Sequence, residues 1–203
     1  MSPTSYLKIN KPQYSDKSLR VIGGKAKGRK LLSDKGLNTR PTADKVKESI
    51  FNILPGDFKD KEVLDLFAGT GNLGIEALSR GALKAVFIES SRHVLPVLEK
   101  NLRNCGFTDI SQIVGTTVDK GIKILERRRN RFDFIFLDPP YRKGILKDTL
   151  VRVSRSEILK DNTLVIAEHS SLEIVEGEIE RLILTDQRRY GTTLISFFEL
   201  KTN

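Results

Sequence analysis

Residues 62–78 read EVLDLFAGTGNLGIEAL, and how they are parsed decides the fold. A short apolar run ends at Asp65, a turn punctuated by Gly69 and Gly71 follows, and helical spacing takes over from about residue 72 to 80. Strand, tight turn and helix form the opening of a βαβ unit. Working outward, the unit repeats. AVFIE, ISQIV, FDFIFLD and TLVIAEH are further strand candidates, and predicted helices at about 91–104, 117–129 and 145–156 fall between them. The alternation predicts an α/β architecture built on a doubly wound, mainly parallel sheet. The end of the chain breaks the pattern. ERLILTD and TLISFFEL are separated only by QRRYGT, too short for a helical crossover, so these two strands are expected to pair antiparallel.

At 203 residues and 38% hydrophobic content, the chain can bury roughly 70% of its unfolded surface, which fits one medium core better than two. Cys105 is the single cysteine, so no internal disulfide forms. No stretch approaches the ~18 apolar residues of a membrane span, and the polar start lacks the apolar centre of a signal peptide; a cytoplasmic protein without a membrane partner is expected. The net charge of +9 is concentrated. Residues 1–47 hold 12 Lys or Arg against 3 Asp, while the remainder balances at 23 against 23. A neutral body with a basic N-terminal appendage points to a polyanionic partner, and nucleic acid is the expected one.

The organisation follows from these shifts. Residues 1–17 are polar and aperiodic, a flexible basic arm. Residues 18–60 hold LRVIGGKAKGRKLL, read as a β-hairpin with Lys25, Lys27, Arg29 and Lys30 at its tip, then Arg40-Pro41-Thr42, then a helix carrying Val46, Ile50, Phe51 and Leu54. Pro55-Gly56 is its stop, and residues 61–203 form the α/β domain.

Ligands of open α/β sheets bind beyond the carboxyl ends of the strands, which singles out Asp65, Glu89 and Asp138. Gly69, Gly71 and Gly74 spell the dinucleotide fingerprint, and Glu89 stands where an acid would accept from a ribose diol. Asp65 argues against a nicotinamide cofactor, because a carboxylate entering that loop opposes a doubly anionic pyrophosphate. S-adenosylmethionine carries an ammonium, a sulfonium and no phosphate, so the acid favours it. The fourth strand runs into Asp138-Pro139-Pro140-Tyr141. Two prolines stiffen the chain and hold the Pro139 carbonyl exposed. That carbonyl and the Asp138 carboxylate suit the two hydrogens of an exocyclic amine, with Tyr141 stacking on its base. Accepting both hydrogens pyramidalises the nitrogen and aims its lone pair at a sulfonium methyl.

Together these motifs resemble class I adenosylmethionine-dependent methyltransferases of the amino-directed kind. The order of hairpin, Arg40-Pro41-Thr42, a helix with SIFNIL, DLFAGTGNLGIEALSRGA and FLDPPY, over about residues 19 to 200, resembles the bacterial family that methylates the exocyclic N2 of a guanine in 16S, small-subunit ribosomal RNA. The resemblance implies a Rossmann-like, seven-stranded sheet of order 3-2-1-4-5-7-6 with strand seven antiparallel. It implies cofactor contacts from Asp65, Phe67, Ala68, Gly69, Thr70, Gly71 and Glu89, a target base held by Asp138, Pro139, Pro140 and Tyr141, and RNA facing Lys25, Lys27, Arg29, Lys30 and Arg40. The implied partner is ribosomal RNA, within a small subunit or its assembly intermediate, and the protein acts as a monomer without metal. Such enzymes usually place Gly-Asp after strand three; here Thr116 follows Gly115, so either Thr116 or Asp119 meets the cofactor adenine. D-P-P-Y also serves adenine N6 in DNA or RNA, and a related motif serves glutamine. A nicotinamide oxidoreductase and a silent RNA-binding module are the readings from other classes.

The other polar candidates read as structural. His93, His169 and Cys105 lie too far apart to suggest zinc, Glu76 sits inside the first helix of the α/β domain, and the run Glu126 to Arg131 is a solvated helix end. Arg188, Arg189 and Tyr190 fall between the last strands.

Overall fold

A computed structural model describes residues 19–33, 41–54, 57–140 and 144–201. The arm, Arg40, Pro55-Gly56 and Tyr141 lie outside the described residues. In chain order the elements are α1 (Pro41–Ile53), β1 (Glu62–Asp65), α2 (Asn72–Ser79), β2 (Lys84–Ile88), α3 (Leu95–Cys105), β3 (Ser111–Val114), α4 (Val118–Arg127), β4 (Phe132–Leu137), α5 (Ile145–Ser154), β5 (Leu159–Ser170), β6 (Glu178–Ile179), β7 (Leu182–Tyr190) and β8 (Thr193–Leu200).

The strands form one sheet of order β3-β2-β1-β4-β5-β8-β7-β6. Pairing is parallel from β3 to β5, and β8 runs antiparallel to both β5 and β7. The expected order is present with one addition. β6 is a two-residue edge strand that pairs with the start of β7 across a tight turn at Glu180 and Arg181, too short to leave a period in the sequence. A second correction concerns Arg188, Arg189 and Tyr190, which belong to β7 itself; the reversal is made by Gly191-Thr192, with Gly191 at φ 63.

Strand alternation sorts the core into two layers. Val63, Phe87, Phe134, Phe136 and Phe197 face one side, packed with α1, α2, α3 and the N-terminal segment. Leu64, Val86, Ile88, Ile135 and Phe198 face the other, under α4 and α5. Each fully buried side chain of this size contributes on the order of 1.5–3 kcal/mol. Phe58 and Phe51 stack into the same cluster as Phe134 and Phe136, so α1 and the turn after it belong to the core of the sheet.

The predicted hairpin is present: Arg20 and Lys30 form an antiparallel bridge, flanked by Val21 N–H to the Arg29 carbonyl (2.9 Å), Gly28 N–H to the Val21 carbonyl (2.8 Å) and Leu31 N–H to the Leu19 carbonyl (2.7 Å). Other backbone groups around its turn reach α2: Ile22 N–H donates to Glu76 Oε2 (2.8 Å), Lys25 N–H to the Ser79 carbonyl (2.7 Å) and Ala26 N–H to Ser79 Oγ (2.9 Å). Val21, Ala26 and Leu31 are buried beneath it. The segment is therefore a short hairpin strapped across the C-terminal end of α2.

Candidate active site

A cleft of about 900 Å³ opens at the carboxyl edge of the central strands. Its glycine loop is set by local geometry. Gly71, at φ 88, caps α2, and Gly69 turns at φ 53, backbone that disfavours any side chain. Gly74 answers a different need. A Cβ there would stand 2.3 Å from the Phe87 ring, so α2 lies directly on β2 and brings its N-terminus to the cleft.

Glu89 ties this loop to the end of β2. Its Oε2 accepts from Gly69 N–H (2.8 Å) and its Oε1 from Ser91 N–H (2.6 Å), leaving lone pairs for hydroxyl donors. Phe67, Ala68, Gly69, Thr70 and Glu89 all line the cleft. Asp65 is placed differently from the simplest expectation. It is 2% exposed, and its Oδ2 accepts from Gly74 N–H at 3.0 Å, so its charge acts from behind the loop. Burial, opposed by the Gly74 N–H and reinforced by Asp138 and Glu89, pushes its carboxyl up to about 7.

Asp138, Pro139 and Pro140 line the same cleft at the end of β4. Beside them stands Glu168, which the sequence reading passed over. Register explains the meeting: Leu137 pairs with Ala167, so Asp138 and Glu168 are the next residues along neighbouring parallel strands. Enclosure by protein pushes the Asp138 carboxyl up to about 6. Asp138 nevertheless keeps more than a third of its surface open to the cleft, and water there softens that rise. Burial, then the Asp138 charge, pushes half-buried Glu168 up to about 8. Glu89, Asp119, Asp138, Asp148 and Glu168 line the cleft, and no Lys, Arg or His among the described residues does.

Thr116 and Asp119 both border the cleft on the β3 side. The Thr116 backbone N–H already donates to the Val114 carbonyl (2.9 Å), which leaves its hydroxyl and the Asp119 carboxylate as the groups offered there. Of the cationic residues, Lys25, Lys27, Arg29 and Lys30 are exposed, but their loop sits at the C-terminal ends of α2 and α3: Arg29 Nη1 donates to the Asn104 carbonyl. The open end of the same segment reaches the cleft, which Leu19 lines.

Two further polar residues escaped the sequence reading. Lys47 is 1% exposed, donates to the Arg20 carbonyl (2.5 Å) and Asn72 Oδ1 (2.7 Å), and lies 3.6 Å from buried Glu76, which also takes Arg80 Nε at 2.8 Å. Asn101, fully buried, accepts from Leu32 N–H (2.8 Å) and donates to the Leu32 and Thr70 carbonyls (3.0 and 2.9 Å). His169 and Cys105 are buried as structural residues, His169 Nε2 meeting Ser196 Oγ at 2.8 Å.

Comparison with known proteins agrees with this geometry. Residues 19–199 match the family model described as Conserved hypothetical protein 95. Ribosomal RNA small subunit methyltransferase D of Escherichia coli K12 is 36% identical over 173 residues, covering 85% of this chain and 81% of that protein. The protein of the same name from Haemophilus influenzae is 38% identical over 156 residues, covering 74% and 78%. Among solved structures, yhhF of Escherichia coli superposes with a TM-score of 0.77 at 32% identity, covering 92% of this chain and 99% of that one. A sheet with the methyltransferase strand order, a glycine loop and D-P-P at one cleft, and similarity along almost the whole described chain lead to one conclusion: the chain belongs to the Conserved hypothetical protein 95 family, together with the small-subunit ribosomal RNA methyltransferase D proteins.

Proposed function

We propose that this chain transfers a methyl group from S-adenosylmethionine to the exocyclic N2 amine of a guanine in small-subunit ribosomal RNA, in the subunit or an assembly intermediate. The observation that carries the reading is that Asp138-Pro139-Pro140 shares one cleft with the Gly69 loop and Glu89, and that carboxylates alone charge its described lining. Such a lining suits a cationic methyl donor and opposes a pyrophosphate. The names of the relatives supply the class of acceptor.

When bound, adenosylmethionine supplies a methyl group on a positively charged sulfur. Glu89 accepts from the ribose hydroxyls, the backbone from Phe67 to Gly71 shapes the wall, and Asp65 adds negative potential from behind. Thr116 or Asp119 meets the adenine. Asp138 and the Pro139 carbonyl accept the two amine hydrogens, Pro140 fixes that corner, and Tyr141 stacks on the base. As the S–CH3 bond breaks and the N–CH3 bond forms, the nitrogen becomes positive, and its surplus proton passes to the Asp138 carboxylate and on to water. Lys25, Lys27, Arg29, Lys30 and Arg40 bear on RNA phosphates, in a monomer working in the cytoplasm.

Asp138→Ala tests the reading. Labelled donor with assembled small subunits, naked ribosomal RNA and duplex DNA gives the acceptor. The variant should lose at least ~10³-fold in transfer, about 4 kcal/mol, while binding adenosylhomocysteine within about threefold of the parent. Full activity in the variant refutes the role. Recovery of N6-methyladenosine in place of N2-methylguanosine by mass spectrometry refutes the acceptor.

A further inference from the structure

The cleft holds more hydrogen-bond acceptors than an amine needs. Two are accounted for, the Asp138 carboxylate and the Pro139 carbonyl. Glu168 stands next to them on the neighbouring strand, in register with Asp138 and lining the same wall. The fold gains no evident stability from putting a carboxyl there. Its cross-strand partner on β8 is Ile195, and no ion pair within 4 Å joins Glu168 to any described cation. The adjacent His169 turns to Ser196 instead.

We infer that Glu168 is a specificity-determining residue, accepting the ring N1–H that lies beside the exocyclic amine of guanine. The inference rests on the function proposed above. Guanine presents three hydrogens along this edge, two on N2 and one on N1, and the cleft then offers three acceptors for them. Adenine presents two on N6, with N1 a lone pair that would face the Glu168 carboxyl, held as a carboxylate once the bound cationic methyl donor offsets the neighbouring Asp138 charge. A site built to accept a hydrogen rejects an analogue lacking it, because a buried acceptor is left without a donor and two lone pairs are opposed. Glu168 thereby separates guanine from adenine at a motif that on its own serves either amine.

The test uses 2-aminopurine, which keeps the N2 amine but has an unprotonated N1. Small-subunit particles are reconstituted with ribosomal RNA carrying guanosine or 2-aminopurine riboside at the nucleotide mapped as methylated, and single-turnover transfer is measured for full-length enzyme. Wild type should prefer guanine by on the order of 10²-fold. Glu168→Ala should shrink that preference at least ~10-fold, chiefly by slowing guanine. Glu168→Gln, whose amide can turn either its oxygen or its NH2 to the base, should shrink it by speeding 2-aminopurine. Thermal melting and adenosylhomocysteine binding establish that each variant is folded. A wild-type preference below about threefold overturns the inference without any variant. An undiminished preference in folded Glu168→Gln overturns it equally, while guanine methylation itself leaves the functional reading standing. Wild-type enzyme inert on guanosine particles overturns both.

Discussion

The two ends of β4 carry an aspartate each and treat it in opposite ways. Asp133, at the amino end, is 17% exposed and well supplied: Lys160 Nζ at 2.6 Å, Glu62 N–H at 2.9 Å and Lys61 Nζ at 3.3 Å. Burial alone would raise it, but the bonds from Lys160 and Glu62 and the lysine charges hold its carboxyl below the ordinary range. Asp138, a few residues on, meets Glu168 and no described cation, and is pushed up. A protein carrying +9 overall could have placed a lysine there. Compensated acids hold this fold together; uncompensated ones mark where a cationic, hydrogen-rich ligand completes the charge balance.

The contrast can be broken from either end. Asp133→Ala strands two lysines and a backbone N–H, and should lower stability by about 1–2 kcal/mol in urea at neutral pH. Because its folded value is depressed, that contribution is present above pH 3.8 and fades as pH falls through the folded value. Glu168→Gln should move the other way, stabilising by about 1 kcal/mol at pH 7.5. A carboxyl raised from 4.5 to about 8 burdens the fold increasingly as pH rises through that window, so the gain should vanish near pH 4. A loss of stability at pH 7.5 would mean Glu168 is a compensated acid after all. The smallest effect concerns the basic loop. Reversing Lys25, Arg29 and Lys30 to Glu should leave cofactor binding unchanged, weaken RNA binding across sequences and flatten its salt dependence. An unchanged slope removes the loop from the interface.

The sheet was legible because apolar strand segments alternate with helical periods from β1 to β5, and six residues cannot carry a crossover. β6 was not, since two residues have no period. The hairpin was legible as two apolar runs about a basic turn, but its docking on α2 was not, because Glu76 and Ser79, its partners there, lie more than 50 residues away. In the site, glycines and prolines announce themselves through backbone chemistry. Glu168 does not: it ends the strand TLVIAEH, where the strand-end rule points, yet an acid beside a histidine carries no signature until register sets it against Asp138. Lys47 reads as one lysine among many on a basic segment, and only burial separates it.

Asn101 has a consequence of its own. One amide clasps both backbone groups of Leu32 and, with its other hydrogen, the carbonyl of Thr70. The strap at the basic end of the molecule and the rim of the cleft are thereby pinned to the same point on α3. Lys47 adds a second clasp, joining the Arg20 carbonyl to Asn72, so two buried side chains rivet the basic segment to the cleft rim.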